Sequence, residues 1–274
     1  MPGLIIDALV NRQTFPLSDI ASAIERFAPL DLQESYDNAG LQVGDPEMAI
    51  GAALLCLDVT EDILAEAIER GCELIISHHP LIFKGIKRLT GRTATERIIA
   101  EAIRNNVAIY SAHTNLDSTF EGVSYEMAHR LGLRDVTPLC PNRENPVTGL
   151  GVIGTVKPTP TLEFLRKVKE TFEVKNLKYS EEACRLVVRK VALCGGAGAS
   201  MIGDALRAGA DVYVTGDLKY HDFTTYATDI VLADIGHYES ELCSLKIFSR
   251  ILRENFPGLA VLTAETENNP IKIL

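Results

Sequence analysis

The sequence has 274 residues, of which 46% are hydrophobic and 23% charged, the balance of a soluble globular protein with one large domain or two modest ones. The formal net charge of −10 argues against nonspecific binding to a nucleic acid polymer, because phosphate contacts need a basic face. No apolar run approaches the ~20 residues that span a bilayer, and residues 1–7 lack the basic stretch of a signal peptide. We therefore expect a cytoplasmic protein with no membrane partner.

Strands and helices alternate in the first half of the chain. Predicted strands are 52–58, 74–77 and 107–111, and predicted helices are 18–28, 60–70, 95–105 and 121–131. Thr60 is expected to cap the second helix, and Gly71 and Gly132 follow the ends of two helices. Such a βαβαβ series favours a mainly parallel sheet with right-handed crossovers.

The second half begins after residues 137–149, whose prolines and asparagines predict an irregular boundary segment. Predicted strands are 149–156, 186–194, 212–214, 229–233 and 260–263, and predicted helices are 161–171, 200–208 and 239–255. We predict an α/β fold of two α/β domains with mainly parallel sheets. Residues 1–130 and 235–274 form a discontinuous metal-binding domain, and residues 131–234 form a second domain inserted into it. This arrangement would bring His237 to the polar loops of the first segment.

Histidines are scarce, and five of the six lie at strand ends or beside carboxylates: His78, His79, His113, His221 and His237. The first two end the apolar run 74–77 and precede Pro80. The carboxyl edge of strands is where open α/β sheets bind ligands. Neighbours on a regular strand point to opposite faces. The pair can therefore serve one site only if the backbone turns there, or if the site holds two ions.

A metal centre is the interpretation that unites these residues. His237 and Glu241 are four positions apart and would share one helix face. Taken alone, that pair could be a surface ion pair, and Asp117 could be a helix N-cap. The predicted ligands are His78, His79, Asp117, His237 and Glu241. They suffice for two divalent ions that share a carboxylate, and zinc, iron, manganese and nickel all suit such ligands. His113 and His221 would then orient the ligands or carry protons.

A glycine-rich stretch, residues 195–200 (GGAGAS), follows a predicted strand and opens a predicted helix. It lacks the full dinucleotide fingerprint, because Met201 stands where the third glycine is expected, and no Walker A lysine follows it. We predict a tight strand-to-helix turn, with phosphate binding on its backbone amides as the alternative.

Five segments carry short signatures in a fixed order along nearly the whole chain. They are Tyr36–Gly44 (YDNAGLQVG), Ser77–Lys84 (SHHPLIFK), Ser111–Asp117 (SAHTNLD), Thr215–Asp222 (TGDLKYHD) and Gly236–Glu241 (GHYESE). Together they resemble the GTP cyclohydrolase 1 type 2 family, also known as NGG-interacting-factor-like dinuclear-metal proteins. Two positions depart from the family pattern. Tyr36 replaces a tryptophan, and residues 268–271 read NNPI where the family has a Thr-Asp-Pro-Phe-like motif.

The resemblance implies a two-domain α/β subunit, a toroidal homohexamer and a dinuclear centre with two divalent metal ions per chain. By position, the family's ligands fall on the five residues named above, and Glu241 bridges the two ions. The family name implies a small-molecule substrate, a purine nucleotide whose imidazole ring is opened with loss of formate. The large middle domain of some members does not fit in a chain of this length.

The leading hypothesis is a dinuclear-metal-dependent hydrolase. In it, a metal-bound hydroxide attacks an electrophilic carbon or phosphorus of a nucleotide, and His113 or His221 moves protons. A phosphoester is the alternative substrate for the same site. The alternative of a different class is a noncatalytic metal-binding or regulatory hexameric protein, in which the ions stabilise the assembly.

Overall fold

The computed structural model describes residues 12–181 and 187–274. Residues 1–11, for which no signal peptide is predicted, and Leu186, the first residue of a predicted strand, lie outside the described residues. The chain forms two compact units. Unit 1 runs to Leu116 and returns with Ser244–Asn268, whereas unit 2 comprises Asp117–Cys243 and Asn269–Leu274.

The strands of the described ranges differ in length, from two residues in β1 to twelve in β8. In chain order they are Phe15–Pro16 (β1), Gly40–Val43 (β2), Ala49–Ile50 (β3), Ala52–Cys56 (β4), Leu74–Ser77 (β5), Ala108–Ser111 (β6), Arg134–Pro141 (β7), Gly149–Pro160 (β8), Lys178–Tyr179 (β9), Val187–Ala197 (β10), Val212–Gly216 (β11), Val231–Asp234 (β12) and Ala260–Thr263 (β13).

The helices of the same ranges alternate with these strands. They are Leu17–Phe27 (α1), Glu61–Glu69 (α2), Ala94–Arg104 (α3), Thr114–Ser118 (α4), Val123–Leu131 (α5), Thr161–Thr171 (α6), Ile202–Arg207 (α7), Tyr220–Tyr226 (α8), His237–Glu241 (α9) and Ser244–Asn255 (α10), with 3-10 turns at Leu30–Leu32 and Ala199–Met201.

Unit 1 is built on a five-stranded sheet of order β13-β4-β5-β6-β2. Its first four strands are parallel, and β2 joins the edge antiparallel to β6. Every residue of β4 and β5 is buried, as expected when helices cover both faces of a parallel sheet. The apolar faces of α2 and α3 pack into this core. As predicted, the Thr60 side chain caps α2 by accepting a hydrogen bond from the Ile63 amide.

Unit 2 contains a six-stranded sheet of order β7-β8-β10-β11-β12-β9. Strands β10, β11 and β12 are parallel, and the other neighbours pair antiparallel. The predicted α/β class is confirmed, with a mainly parallel sheet in unit 1 and a mixed sheet in unit 2. In the described part of the chain, no helix is both long and apolar enough to cross a bilayer.

The prediction that residues 137–149 are irregular is wrong for part of the segment. Its first five residues belong to β7, although Pro138 and Pro141 cannot donate to a ladder. The strand tolerates both prolines because β7 lies at the edge of its sheet, where one side needs no partner. Only the turn from Asn142 to Thr148 connects it to β8.

The single helix predicted over 239–255 is also wrong, because the structure divides it into α9 and α10. Helix α9 packs on β10 and β11 of unit 2, whereas α10 packs on α1, β4 and β13 of unit 1. Because the two helices pack on different cores, the first ends at Glu241 and the second begins at Ser244. The domain limits at 130/131 and 234/235 remain a prediction, and the compact units divide after Leu116, Cys243 and Asn268. Helix α5 falls in unit 2 because it packs on β8 and β10.

Candidate metal centre

Three histidine rings cluster at the carboxyl edge of the sheet in unit 1. The rings of His78 and His79 lie 5.1 Å apart, and that of His113 lies 5.3 and 5.4 Å from them. One ligand nitrogen from each ring falls within 4.8 Å of the other two. The amide of His79 donates to the carbonyl of Leu57 beyond the end of β4. Consecutive histidines therefore share one site, because the backbone turns where β5 ends instead of continuing as a regular strand.

Each of these rings is held through the same nitrogen. Its Nδ1–H donates at 2.9 Å in every case, from His78 to the Ala112 carbonyl, from His79 to Asp58 and from His113 to Asp37. Carbonyl and carboxylate oxygens only accept, so the proton lies on Nδ1. Each Nε2 then carries the lone pair through which such a ring binds a metal ion. Metal-binding histidines usually show this arrangement.

The partner of His113 is a buried anion. The Asp37 carboxylate also accepts a hydrogen bond from the Thr114 amide at 3.0 Å and another from the Thr114 hydroxyl. Burial disfavours the ionised carboxylate, but the hydrogen bonds from His113 and Thr114 outweigh it and hold the pKa of Asp37 well below its usual range. Asp37 is therefore a permanently charged acceptor for the His113 ring at neutral pH.

Unit 2 carries the remaining predicted ligands. On α9, the Nε2 of His237 lies 2.9 Å from Oε2 of the buried Glu241, and the Nδ1–H of His237 donates to Asp217 at 2.8 Å. The i, i+4 pair thus shares one helix face, as predicted. A carboxylate oxygen of Asp117 lies within 4.8 Å of one of Glu241. Asp217 directly follows β11 in the left-handed region, with φ of 57°, a conformation that aspartate tolerates better than most residues.

The glycine-rich stretch lies against Glu241. Gly196 has φ of 63°, and a Cβ atom added there would lie 2.1 Å from Oε1 of Glu241 and 3.4 Å from Cε1 of His237. Ser240 on the same helix accepts a hydrogen bond from the Gly196 amide at 2.9 Å. Residues 195–197 are the end of β10, and the chain turns at Gly198 into the 3-10 turn Ala199–Met201, so only the second half of the stretch is the predicted strand-to-helix turn. The missing side chain of Gly196 makes room for a predicted ligand.

His221, the other predicted proton carrier, lies on the exposed surface of α8. Its ring makes an edge contact with the Tyr220 ring, 5.4 Å between centroids. Among the residues that the structure describes, it joins no group of side chains with metal-ligand spacing. Of the two predicted proton carriers, only His113 lies beside other candidate ligands.

The donor sets of both units fit a divalent metal ion. Unit 1 offers imidazole nitrogens from His78, His79 and His113, and unit 2 offers one imidazole and two carboxylates from Asp117, His237 and Glu241. Mixed imidazole and carboxylate ligands suit first-row transition metals and zinc. The hydrogen bond on every Nδ1 fixes the ring orientation in advance. These groups can bind metal ions.

Residues 15–270 match the model of the family described as Duf34/NIF3 (NGG1p interacting factor 3). The chain belongs to the Duf34/NIF3 family. The resemblance of its five ordered signatures is thereby confirmed. The candidate ligands described above lie in three of these segments, 77–84, 111–117 and 236–241.

Named relatives of this NIF3 protein span most of its length. A Clostridium perfringens protein named GTP cyclohydrolase 1 type 2 homolog is 39% identical over 227 residues, which cover 82% of this chain and 86% of that protein. A protein of the same name from Streptococcus pneumoniae is 34% identical, with 92% and 97% coverage. The crystal structure of a hypothetical protein from Staphylococcus aureus has the same fold, with a TM-score of 0.88, 26% identity and coverage of 96% and 100%.

Sequence reasoning missed the three aspartates that hold the histidines of this NIF3 protein. Asp217 directly follows β11, Asp58 lies one residue further from the end of β4, and Asp37 lies in the first family signature. They are separated from their histidines by 21, 20 and 76 residues, respectively. For Asp58 and Asp217, a carboxylate close after a buried strand was the available signal, because such positions share the sheet edge with the histidines.

Proposed function

We propose that this NIF3-family protein is a metal-dependent hydrolase that acts on a purine nucleotide. In this proposal His78, His79, Asp117, His237 and Glu241 hold two divalent ions, and Glu241 is shared between them. The observation that carries it is the common orientation of the candidate histidines, each held by an oxygen atom at its Nδ1. The nucleotide comes from the name GTP cyclohydrolase 1 type 2 homolog that relatives bear.

When bound, two divalent ions polarise an electrophile and favour the ionisation of water at neutral pH. The chain's own residues supply orientation and proton transfer. Asp58 and Asp217 fix the rings of His79 and His237, so that the ligand nitrogens need not reorganise when an ion arrives. His113 presents Nε2 as a proton acceptor while Asp37 holds its Nδ1–H, the arrangement of an aspartate–histidine pair in general base catalysis.

The proposal also includes the homohexamer that the family resemblance implies, and a role for His221. His221 is exposed on α8, where it could move a proton only for a substrate that reaches that surface. We assign the first proton transfer to His113, because its ring is oriented by a buried carboxylate and lies beside two candidate ligands.

The proposal is tested by loading and removing metal while a substrate panel is assayed. We expect the purified protein to convert GTP with release of formate, to lose this activity after chelation and to regain it with one of zinc, iron, manganese or nickel. Turnover of a model phosphoester alone would replace the nucleotide by a phosphoester substrate. Turnover that survives chelation would refute metal dependence. Metal that holds the oligomer together without any turnover would favour a noncatalytic role.

Asp37→Asn tests the assignment of His113. An uncharged partner no longer stabilises a protonated imidazole, so we expect kcat to fall about 10- to 100-fold. KM and the metal content should stay close to those of the wild type. Steady-state kinetics and elemental analysis on the same preparation measure both.

Thr114→Val is the matched control, because it removes one hydrogen bond to Asp37 and leaves the contact between Asp37 and His113. Its kcat should change much less than that of Asp37→Asn. If Asp37→Asn instead lowers the metal content, His113 is a metal ligand and not a proton carrier.

A further inference from the structure

A cavity opens in unit 1 beside the loop that follows the paired histidines. Its volume is about 760 Å³. The loop begins at Pro80, directly after His79, and leads to the first turn of α3. Its basic lining residues are Lys84, Lys87 and Arg88, and Thr93 and Thr95 at the start of α3 complete one wall. The cavity is therefore bordered by positive charge and by the positive end of an 11-residue helix.

The three cations of this cavity have no counterion in the described chain. Lys84, Lys87 and Arg88 are exposed, and within residues 12–181 and 187–274 none of their side chains makes an ion pair or a hydrogen bond. The one carboxylate in the lining, Glu96, already accepts hydrogen bonds from Thr90 and the Arg92 amide. In a chain of net charge −10, three unneutralised cations around one cavity mark a place for an external anion.

The cavity adjoins the histidine cluster through Phe83. This ring lines the cavity, and its centroid lies 6.3 Å from that of His113 and 6.3 Å from that of Tyr36. Both Phe83 and Tyr36 are exposed on that side of the unit. A molecule whose anionic end occupies the cavity would pass these aromatic rings before it reached the imidazoles.

We propose that this cavity is the binding site for the phosphate groups of a phosphorylated small molecule. Lys84, Lys87 and Arg88 neutralise the phosphates, the amides at the start of α3 face them, and the organic part lies along Phe83 and Tyr36 toward His113. The phosphate site stands by itself. That its ligand is the substrate of the histidine cluster rests on the proposed function.

The test measures binding of inorganic tripolyphosphate to the full chain by calorimetry at low ionic strength. Tripolyphosphate also binds metal ions, so the protein is titrated both as purified and after chelation. We expect the chelated wild type to bind it, with an affinity that falls as salt is added. The double variant Lys87→Gln with Arg88→Gln should bind at least about tenfold more weakly. The charge-conserving variant Lys87→Arg should keep most of the affinity.

Arg134→Gln with Lys157→Gln is the matched control. These residues line a smaller cavity of about 260 Å³ in unit 2, and their replacement removes the same charge. The inference is overturned if this control weakens binding as much as the double variant Lys87→Gln with Arg88→Gln, called the loop variant below. It is also overturned if tripolyphosphate binds only to the metal-loaded protein, or does not bind to the wild type at all.

Kinetics with a phosphorylated substrate separate the two proposals. A raised KM with unchanged metal content in the loop variant supports the inference. If metal-dependent turnover persists in that variant at wild-type KM, the ligand of the cavity is not the substrate of the histidine cluster, and the hydrolase stands. If tripolyphosphate binds through the loop but no substrate turns over, the hydrolase is refuted and the phosphate site stands.

Discussion

Glu241→Gln is expected to lower the metal content from about two ions per chain to well under one. A carboxylate shared by two ions supplies charge to both, and the amide that replaces it keeps the shape of the side chain but loses the charge. Glu241 is buried on α9, 2.9 Å from the Nε2 of His237 and with an oxygen within 4.8 Å of one of Asp117. Its replacement therefore changes the surroundings of two other predicted ligands in unit 2, His237 and Asp117. Elemental analysis of protein purified without added metal measures the content.

Glu239→Gln is the matched control, because Glu239 stands on the same helix two positions away. Its carboxylate accepts a hydrogen bond from the Asn269 side chain and belongs to no group with metal-ligand spacing among the described residues. We expect this variant to keep about two ions per chain. Two ions retained by Glu241→Gln would contradict the shared carboxylate, and one retained ion would restrict Glu241 to a single metal.

Gly196→Ala is expected to weaken metal binding about 10- to 100-fold without unfolding the protein. The new methyl group would lie 2.1 Å from Oε1 of Glu241, so the carboxylate has to move. The carboxylate is the far end of a flexible side chain, and its displacement costs the fold little. The same displacement removes a ligand from its place. Metal titration by calorimetry, with thermal unfolding as the companion measurement, separates the two effects.

The control for this variant shares its backbone strain. Gly209 also has a positive φ, 75°, but a Cβ atom there meets nothing within 4 Å. Both alanine variants should lose about 1–2 kcal/mol of stability from the left-handed backbone, and only Gly196→Ala should lose metal affinity. Equal metal affinities of the two variants would show that Gly196 does not make room for a ligand.

The predicted strand Leu74–Ser77 and the predicted helix Thr161–Thr171 coincide with the observed elements, because the first is a short continuous apolar run and the second has apolar residues at helical spacing. The strand Arg134–Pro141 was missed because two prolines suggest a loop, and only its position at a sheet edge makes them acceptable. The helix predicted over 239–255 failed for another reason. Its apolar pattern continues through the break, but its two parts pack on different cores.

In the candidate site, too, some features follow from the local sequence and others depend on the tertiary structure. The i, i+4 spacing of His237 and Glu241 places both on one helix face in any α-helix, so local geometry sufficed. The adjacent pair at positions 78 and 79 was ambiguous from sequence, because a strand would separate their side chains. The turn after Ser77 decides the matter and brings both rings to His113.

By itself, the sequence determined which residues can ligate a metal and that they stand at strand ends and on one helix face, because periodicity acts over a few residues. Only the tertiary structure decided which residue holds the Nδ1 of each ring. Asp37, Asp58 and Asp217 reach their histidines from distant segments, and a hydrogen bond between residues 20 or more positions apart leaves no local pattern. The close approach of Gly196 to Glu241 depends likewise on how α9 packs against β10.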